Sequence, residues 1–142
     1  MDPLSLSASI AGLITMADVI VRNGFKYISE VKEADNSIRD LFCEVNLLVG
    51  TLHSLRNIAQ RFEVDDSSHT YAMRIDHVNA CDKTLYKIQL QLDKISNTKD
   101  RSISRTKKRL LWPLSQSETR TILAEVERHK STMSLALSVD GM

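Results

Sequence analysis

The chain has 142 residues, 42% of them apolar and 26% charged, with a net charge of +1. That describes one domain over residues 1–142 with room for a real core, and it excludes a disordered chain. Four glycines and two prolines are too few for a turn-rich fold and favour long helices.

The first predicted helix runs from Pro3 to about Glu33. Asp2 can cap it, and Pro3 fits the first helical position, where its missing N–H costs nothing. Only Asp2 and Asp18 are charged among the first 21 residues. Leu6, Ile10, Leu13, Ala17 and Ile20 recur at helical spacing. Leu4, Ile14, Met16, Val19 and Val21 widen the stripe until most of the surface is apolar. Such a helix must be buried by its own domain, by a partner or by a membrane. Two readings follow: the first helix of a bundle, or a helix held in the bundle and later released into lipid. The uncharged run from Pro3 to Ala17 is 15 residues, short of the roughly 20 of a resting span. The acidic start does not fit a secretory leader. Gly24 is expected to bend the helix. Asp18 is the residue to watch. At rest it is expected at the surface, paired with Arg22 one turn on, and in an oligomer a ring of Asp18 would favour cations.

The second helix, about Ser37 to Glu63, takes Asn36 or Ser37 as its cap. Ile38, Val45, Leu52 and Ala59 recur every seven residues, as do Leu41, Leu48, Leu55 and Phe62 on the adjacent row. Phe42 and Val49 broaden this face enough for two neighbours, which means a bundle. The third helix, about Thr70 to Ser96, buries Tyr71, Val78, Leu85 and Leu92 with Cys81, Ile88 and Ile95. Asp76, Asp82, Lys83, Lys87 and Asp93 form a solvated face. Cys43 and Cys81 both read as buried, reduced thiols of a cytosolic protein, too few for a zinc site.

From Asn97 the pattern breaks. Lys99, Arg101, Arg105, Lys107, Lys108 and Arg109 are opposed only by Asp100, so residues 97–109 carry +5 and the rest of the chain −4. Leu110, Leu111, Trp112 and Pro113 follow. Cations leading into an indole suit a contact with anionic lipid; equally, Leu-Leu-Trp can tuck back and close the end of the bundle. Nucleic acid is not expected, because no recognition module and no interleaved aromatics accompany the charge. Ser115 and Glu118 form a capping box for the fourth helix, which runs to about Val139. That helix buries Ile122, Leu123, Val126, Met133, Ala136 and Leu137, with His129 hydrogen-bonded among them. Asp140-Gly141 is the stop.

No phosphate loop, His-Glu-x-x-His or Gly-x-Ser-x-Gly occurs. The chain is therefore expected to be no enzyme and to need no cofactor and no metal. The expected fold is all-α, a four-helix-type bundle with a short basic connector before its last helix.

Met1-Asp2-Pro3-Leu4-Ser5, with Ala8-Ser9-Ile10-Ala11-Gly12-Leu13, resembles the start of the HeLo-like N-terminal domain of fungal NOD-like (STAND-type) receptors. Leu110-Leu111-Trp112-Pro113, the run Arg128 to Leu137 and the closing Asp140-Gly141-Met142 are similar to the end of that domain. The resemblance implies the head of a longer receptor, with a nucleotide-binding domain behind it in the same chain. It implies a cytoplasmic protein that moves to the plasma membrane on activation. There it would homo-oligomerise, engage anionic lipid and permeabilise the membrane in regulated cell death, incompatibility or innate immunity. The helix from Leu4 to Val21 would insert, and the basic segment with Trp112 would face the headgroups. A protein–protein adaptor that never enters lipid is the alternative, and an inert autoinhibitory cap a third.

Overall fold

The structure, a computed structural model, describes residues 5–31, 34–64, 75–101 and 112–140, with backbone alone at 62–64, 97–101 and 140. These residues form four helices and no strand: α1 (Leu6–Glu30), α2 (Asn36–Val64), α3 (Ile75–Arg101) and α4 (Gln116–Asp140). The expected four-helix bundle is what the chain builds. The Asp2-Pro3 cap, Leu4, Tyr71, Arg105, Lys107, Lys108, Arg109, Leu110 and Leu111 lie outside the described residues, as does the side chain of Phe62.

Each helix starts with its own chemistry. Ser5 caps α1, its hydroxyl accepting from Ala8 N–H at 3.1 Å. The cap of α2 is Asp35, one or two residues earlier than expected. Its carboxylate accepts from Ser37 N–H at 3.3 Å and from the Ser37 hydroxyl at 2.8 Å. These bonds hold the Asp35 carboxyl below its ordinary value. At α4 the expected capping box is complete: Glu118 N–H donates to Ser115 Oγ and Ser115 N–H to Glu118 Oε1, both at 3.0 Å. α3 does not stop at Ser96 but continues to Arg101. Residues 97–101 lose their apolar period but contain neither Gly nor Pro, and losing a buried face does not by itself end a helix.

α1 packs against α2 and α3, and α4 packs against the same two, so the order around the core is α1, α2, α4, α3. Thr84 meets His129 and Lys87 meets Glu125, so α3 and α4 run antiparallel. The last turns of α1 lie beside the later turns of α3. Hence α1 and α3 finish at the end of the bundle where α2 and α4 begin. The two heptad rows of α2 supply the core: Ile38, Leu41, Val45, Leu48, Leu52, Leu55 and Ala59 are all buried. Val78, Cys81, Leu85, Ile88, Leu92 and Ile95 of α3 face them, as do Ile122, Leu123, Val126, Met133 and Ala136 of α4. Cys43 is exposed, contrary to expectation, because its register on α2 falls away from the two buried rows.

α1 runs unbroken through Gly24 to Glu30. Gly24 is buried because the Phe42 ring of α2 fills the space where its β-carbon would be. What reads in the sequence as a weak point is a socket.

Candidate functional site

The structure divides the residues of the expected insertion helix between two faces. Ile10, Leu13, Ile14, Ala17 and Ile20 are buried, and Leu6 and Val21 pack half-buried at the edge of the core. The outward face carries Ala8, Gly12, Thr15 and Asp18. Asp18 is at the surface, as expected, but the expected ion pair with Arg22 does not form among the described residues. By length and composition α1 can cross a membrane. Its most apolar stretch has a mean hydropathy of 1.3, yet only 33% of that stretch is buried in the bundle. Among its large apolar side chains only Phe25 is exposed; the others are buried or half-buried. This seat is strong: burying Ile10, Leu13, Ile14, Ile20 and Ile28 contributes roughly 8–15 kcal/mol at 1.5–3 kcal/mol per side chain. Releasing α1 into water forfeits that gross contribution, so α1 leaves only if its apolar face finds another cover.

The basic segment is brought into view only at its edges. Lys99 and Arg101 sit on the last turn of α3. Trp112 sits on the other side of the connector and takes the inward of the two settings expected for it. Its ring centroid lies 5.9 Å from that of Tyr27 and 5.7 Å from that of Phe42, the latter nearly edge-on at 83°. Its indole N–H donates to Thr119 Oγ1 at 2.8 Å, and the Thr119 hydroxyl, fully buried, donates to Ser115 O. Burial raises the Tyr27 phenol above its ordinary value, against a smaller lowering by a hydrogen bond with the Trp112 backbone. The aromatic cluster therefore seals the joint where α1 ends and α2 and α4 begin.

A second cluster ties α3 to α4. The Thr84 hydroxyl, itself buried, lies 3.0 Å from Glu125 Oε1 and 2.8 Å from His129 Nε2. Lys87 donates to both Glu125 oxygens at 3.1 Å. Burial and the positive charges of Arg128, Lys87 and His77 push the His129 pKa down, Glu125 alone opposing them. Burial acts to raise the Glu125 carboxyl, but the bonds from Lys87 and Thr84 and the nearby cations outweigh it and hold it low. Further along α3, Gln91 Oε1 is buried without a partner among the described residues. The α3–α4 seam thus carries a connected polar cluster of Thr84, Lys87, Glu125 and His129. Between α2 and α4, Lys130 lies 2.6 Å from Glu44 Oε2.

Sequence reasoning anticipates His129 as a hydrogen-bonded histidine but reads Lys87 as merely solvated. It misses Thr84, Glu125 and the Glu44–Lys130 pair, whose partners lie on helices distant in sequence. It also misses a half-open groove of about 170 Å³ between α1 and α3, edged by Asn23, Lys26, Glu30, Gln89 and Asp93. Among the described residues no three His, Cys, Asp or Glu side chains gather as a metal site would require.

Neither curated proteins nor solved structures give a match to this chain. The model of one family does, that of an N-terminal domain; this is compatible with a HeLo-like assignment and does not itself make one. Since its match spans residues 1–141, the chain belongs to the family described as pigment biosynthesis cluster protein PigL N-terminal.

Proposed function

We propose that this is the non-enzymatic N-terminal effector domain of a fungal NOD-like receptor, a HeLo-like domain that clusters and then perturbs membranes through α1. The observation that carries the reading is that α1, alone among the described helices, has the length and mean apolarity to cross a membrane. Its 25 residues span about 37 Å at 1.5 Å per residue, against roughly 30 Å for the hydrocarbon core. A single weak helix binds lipid marginally, and clustering multiplies the contact. Further copies of the chain, anionic lipid and a nucleotide-binding domain following in the same chain are the partners. The family's description as an N-terminal domain supports such a following domain. At rest the domain is cytoplasmic, and activation moves it to the plasma membrane. The basic run from Lys99 to Arg109 supplies the attraction to anionic headgroups.

Exposed apolar pairs one turn apart favour a second reading, an adaptor that docks a protein partner. Tyr86 and Leu90 stand out on α3, and Leu135 and Val139 on α4.

Dye release from phosphatidylserine-containing and from pure phosphatidylcholine vesicles separates the two. The protein is tested as a monomer and as a forced oligomer, alongside Gly12→Glu and a Lys107→Glu, Lys108→Glu, Arg109→Glu triple variant. Gly12 is exposed with open space around it, so its variant keeps the bundle. A charge at that depth of an inserting helix costs about 3 kcal/mol. Release that needs clustering and anionic lipid, and is lost in both variants, supports the effector. A clustered, folded protein that neither binds nor permeabilises either vesicle sinks it in favour of the adaptor.

A further inference from the structure

Within the bundle, α1 is joined to the other helices through residues 31–35, at its C-terminal end. Any departure of α1 as a unit pivots there. Three rings meet on that pivot. Phe42 fills the socket at Gly24, Tyr27 closes the last turns of α1, and Trp112 lies across both. The indole is the outermost of the three in chain connectivity, since it belongs to the segment entering α4.

Its attachment is separable from α4 itself. The reciprocal bonds between Ser115 and Glu118 finish the helix without help from Trp112. Leu114 also packs on the core and holds the entry to α4 in place. Two ring contacts, the N–H bond to Thr119 and packing on the core retain the indole, and Tyr27 also hydrogen-bonds the Trp112 backbone. Withdrawing it wets the Tyr27 and Phe42 rings and uncovers the end of α1, while α4 stays capped.

We propose that Trp112 is a lock on the pivot of α1: the indole must leave its seat before α1 can leave the bundle. The lock regulates the release invoked above and so rests on that reading, but its opening is measurable without lipid. It makes the resting domain autoinhibited through a contact far from the N-terminal end of α1. Any partner or assembly step that draws on the entry to α4 acts on α1 through this contact.

Hydrogen exchange of the full chain tests it, comparing Trp112→Ala, Trp112→Phe and Thr119→Val with Met133→Ala, a buried control deep in α4. With the lock real, Trp112→Ala speeds exchange of α1 by about tenfold more than that of α2 and α4, as a locally opened unit should. Thr119→Val does so to a lesser degree, Trp112→Phe retains most protection, and Met133→Ala speeds all helices alike. Equal acceleration of every helix by Trp112→Ala, or none, overturns the lock. Should Trp112→Ala fail to fold, Thr119→Val carries the same comparison: selective exchange of α1 supports the lock, and uniform or unchanged exchange overturns it.

Adding phosphatidylserine vesicles separates the lock from the effector reading. Selective exchange in α1 accompanied by greater dye release upholds both. Selective exchange without any release keeps the lock and removes the effector. Release without selective exchange removes the lock and keeps the effector. Trp112 is the chain's only tryptophan, so its emission reports its own seat. A change in emission no later than leakage is expected, and leakage with emission unchanged also overturns the lock.

Discussion

Thr84 Oγ1 and His129 Nε2 stand 2.8 Å apart, joining α3 to α4 through a hydroxyl almost fully withdrawn from water. The groups around His129 are mostly cationic: Lys87 and His77 from α3 and Arg128 from α4, against Glu125. Two α2 carboxylates meet α4, and both face cations: Glu44 is engaged by Lys130, and Asp40 lies 3.8 Å from Arg120. A second positive charge on this seam is unwelcome.

Acid should therefore loosen the domain in two steps. The folded pKa of His129 lies below the ordinary 6.5. Above 6.5 both folded and unfolded histidine are neutral and nothing is lost. Below it the unfolded chain takes up the proton first, and stability falls until pH passes the folded value. The carboxyls of Glu125, Glu118 and Asp35 are held low, so their contribution is present above their ordinary values of 4.5, 4.5 and 3.8 and is lost as pH falls further. Urea unfolding from pH 8 to 4 should show the first decline, and His129→Gln should flatten it. An NMR titration of His129 with a midpoint above 6.5 would overturn this order of events.

Two glycines should respond to alanine with opposite signs. Helix propensity favours Ala over Gly by about 1 kcal/mol in a helix interior. At Gly50, exposed on α2 with nothing within 4 Å of a new β-carbon, Gly50→Ala should stabilise by about 0.5–1 kcal/mol. At Gly24 the new methyl meets the Phe42 ring, and forced overpacking costs roughly 1–3 kcal/mol. Gly24→Ala should thus destabilise, and adding Phe42→Leu should recover part of the loss. Urea midpoints at neutral pH decide both.

Ser115→Ala removes the hydroxyl that accepts from Glu118 N–H, and should cost about 1 kcal/mol. Ser115 N–H donates in return to the Glu118 carboxylate, so Ser115→Ala with Glu118→Ala should cost less than the sum of the two single changes. A thermal-melt double-mutant cycle reads the coupling.

The two thiols should differ in reactivity by orders of magnitude. Cys43 is exposed. Burial, with the Asp82 charge adding to it, pushes the Cys81 thiol up to about 12, and the thiolate is the reactive form. A disulfide reagent should modify one thiol at once in the native protein. The second should follow at the rate of unfolding, and Cys43→Ser should abolish the fast phase.

Patterns along single helices are legible in this sequence. Apart from half-buried Leu137, the described members of the two heptad rows of α2 and of the rows of α3 and α4 are buried where period alone places them, because a repeat of seven needs no knowledge of the partner. The Ser115–Glu118 box is legible for the same reason, being local. Contacts between helices are not. Gly24 reads as weakness until Phe42 is seen across from it. The inward setting of Trp112 depends on Tyr27, Phe42 and Thr119, which lie on three different helices. Thr84, Lys87 and Glu125 look like ordinary solvated side chains until antiparallel packing of α3 on α4 brings them together. The end of α3 is missed because its last turn lacks an apolar face, not because it lacks helical propensity.

The socket at Gly24 also fixes where α1 can dock. The only other glycine of α1, Gly12, lies on the exposed face. Sliding α1 by one turn would bring Ile20 or Ile28 under the Phe42 ring, and sliding it by two would bring Ala17 there or run past the end of the helix. Each of these residues carries a β-carbon where the ring needs space. The apolar stripe is nearly periodic and would otherwise tolerate several alignments; the missing methyl serves as an index mark that admits one. Intermediate seats are thereby excluded, and α1 is either home or away.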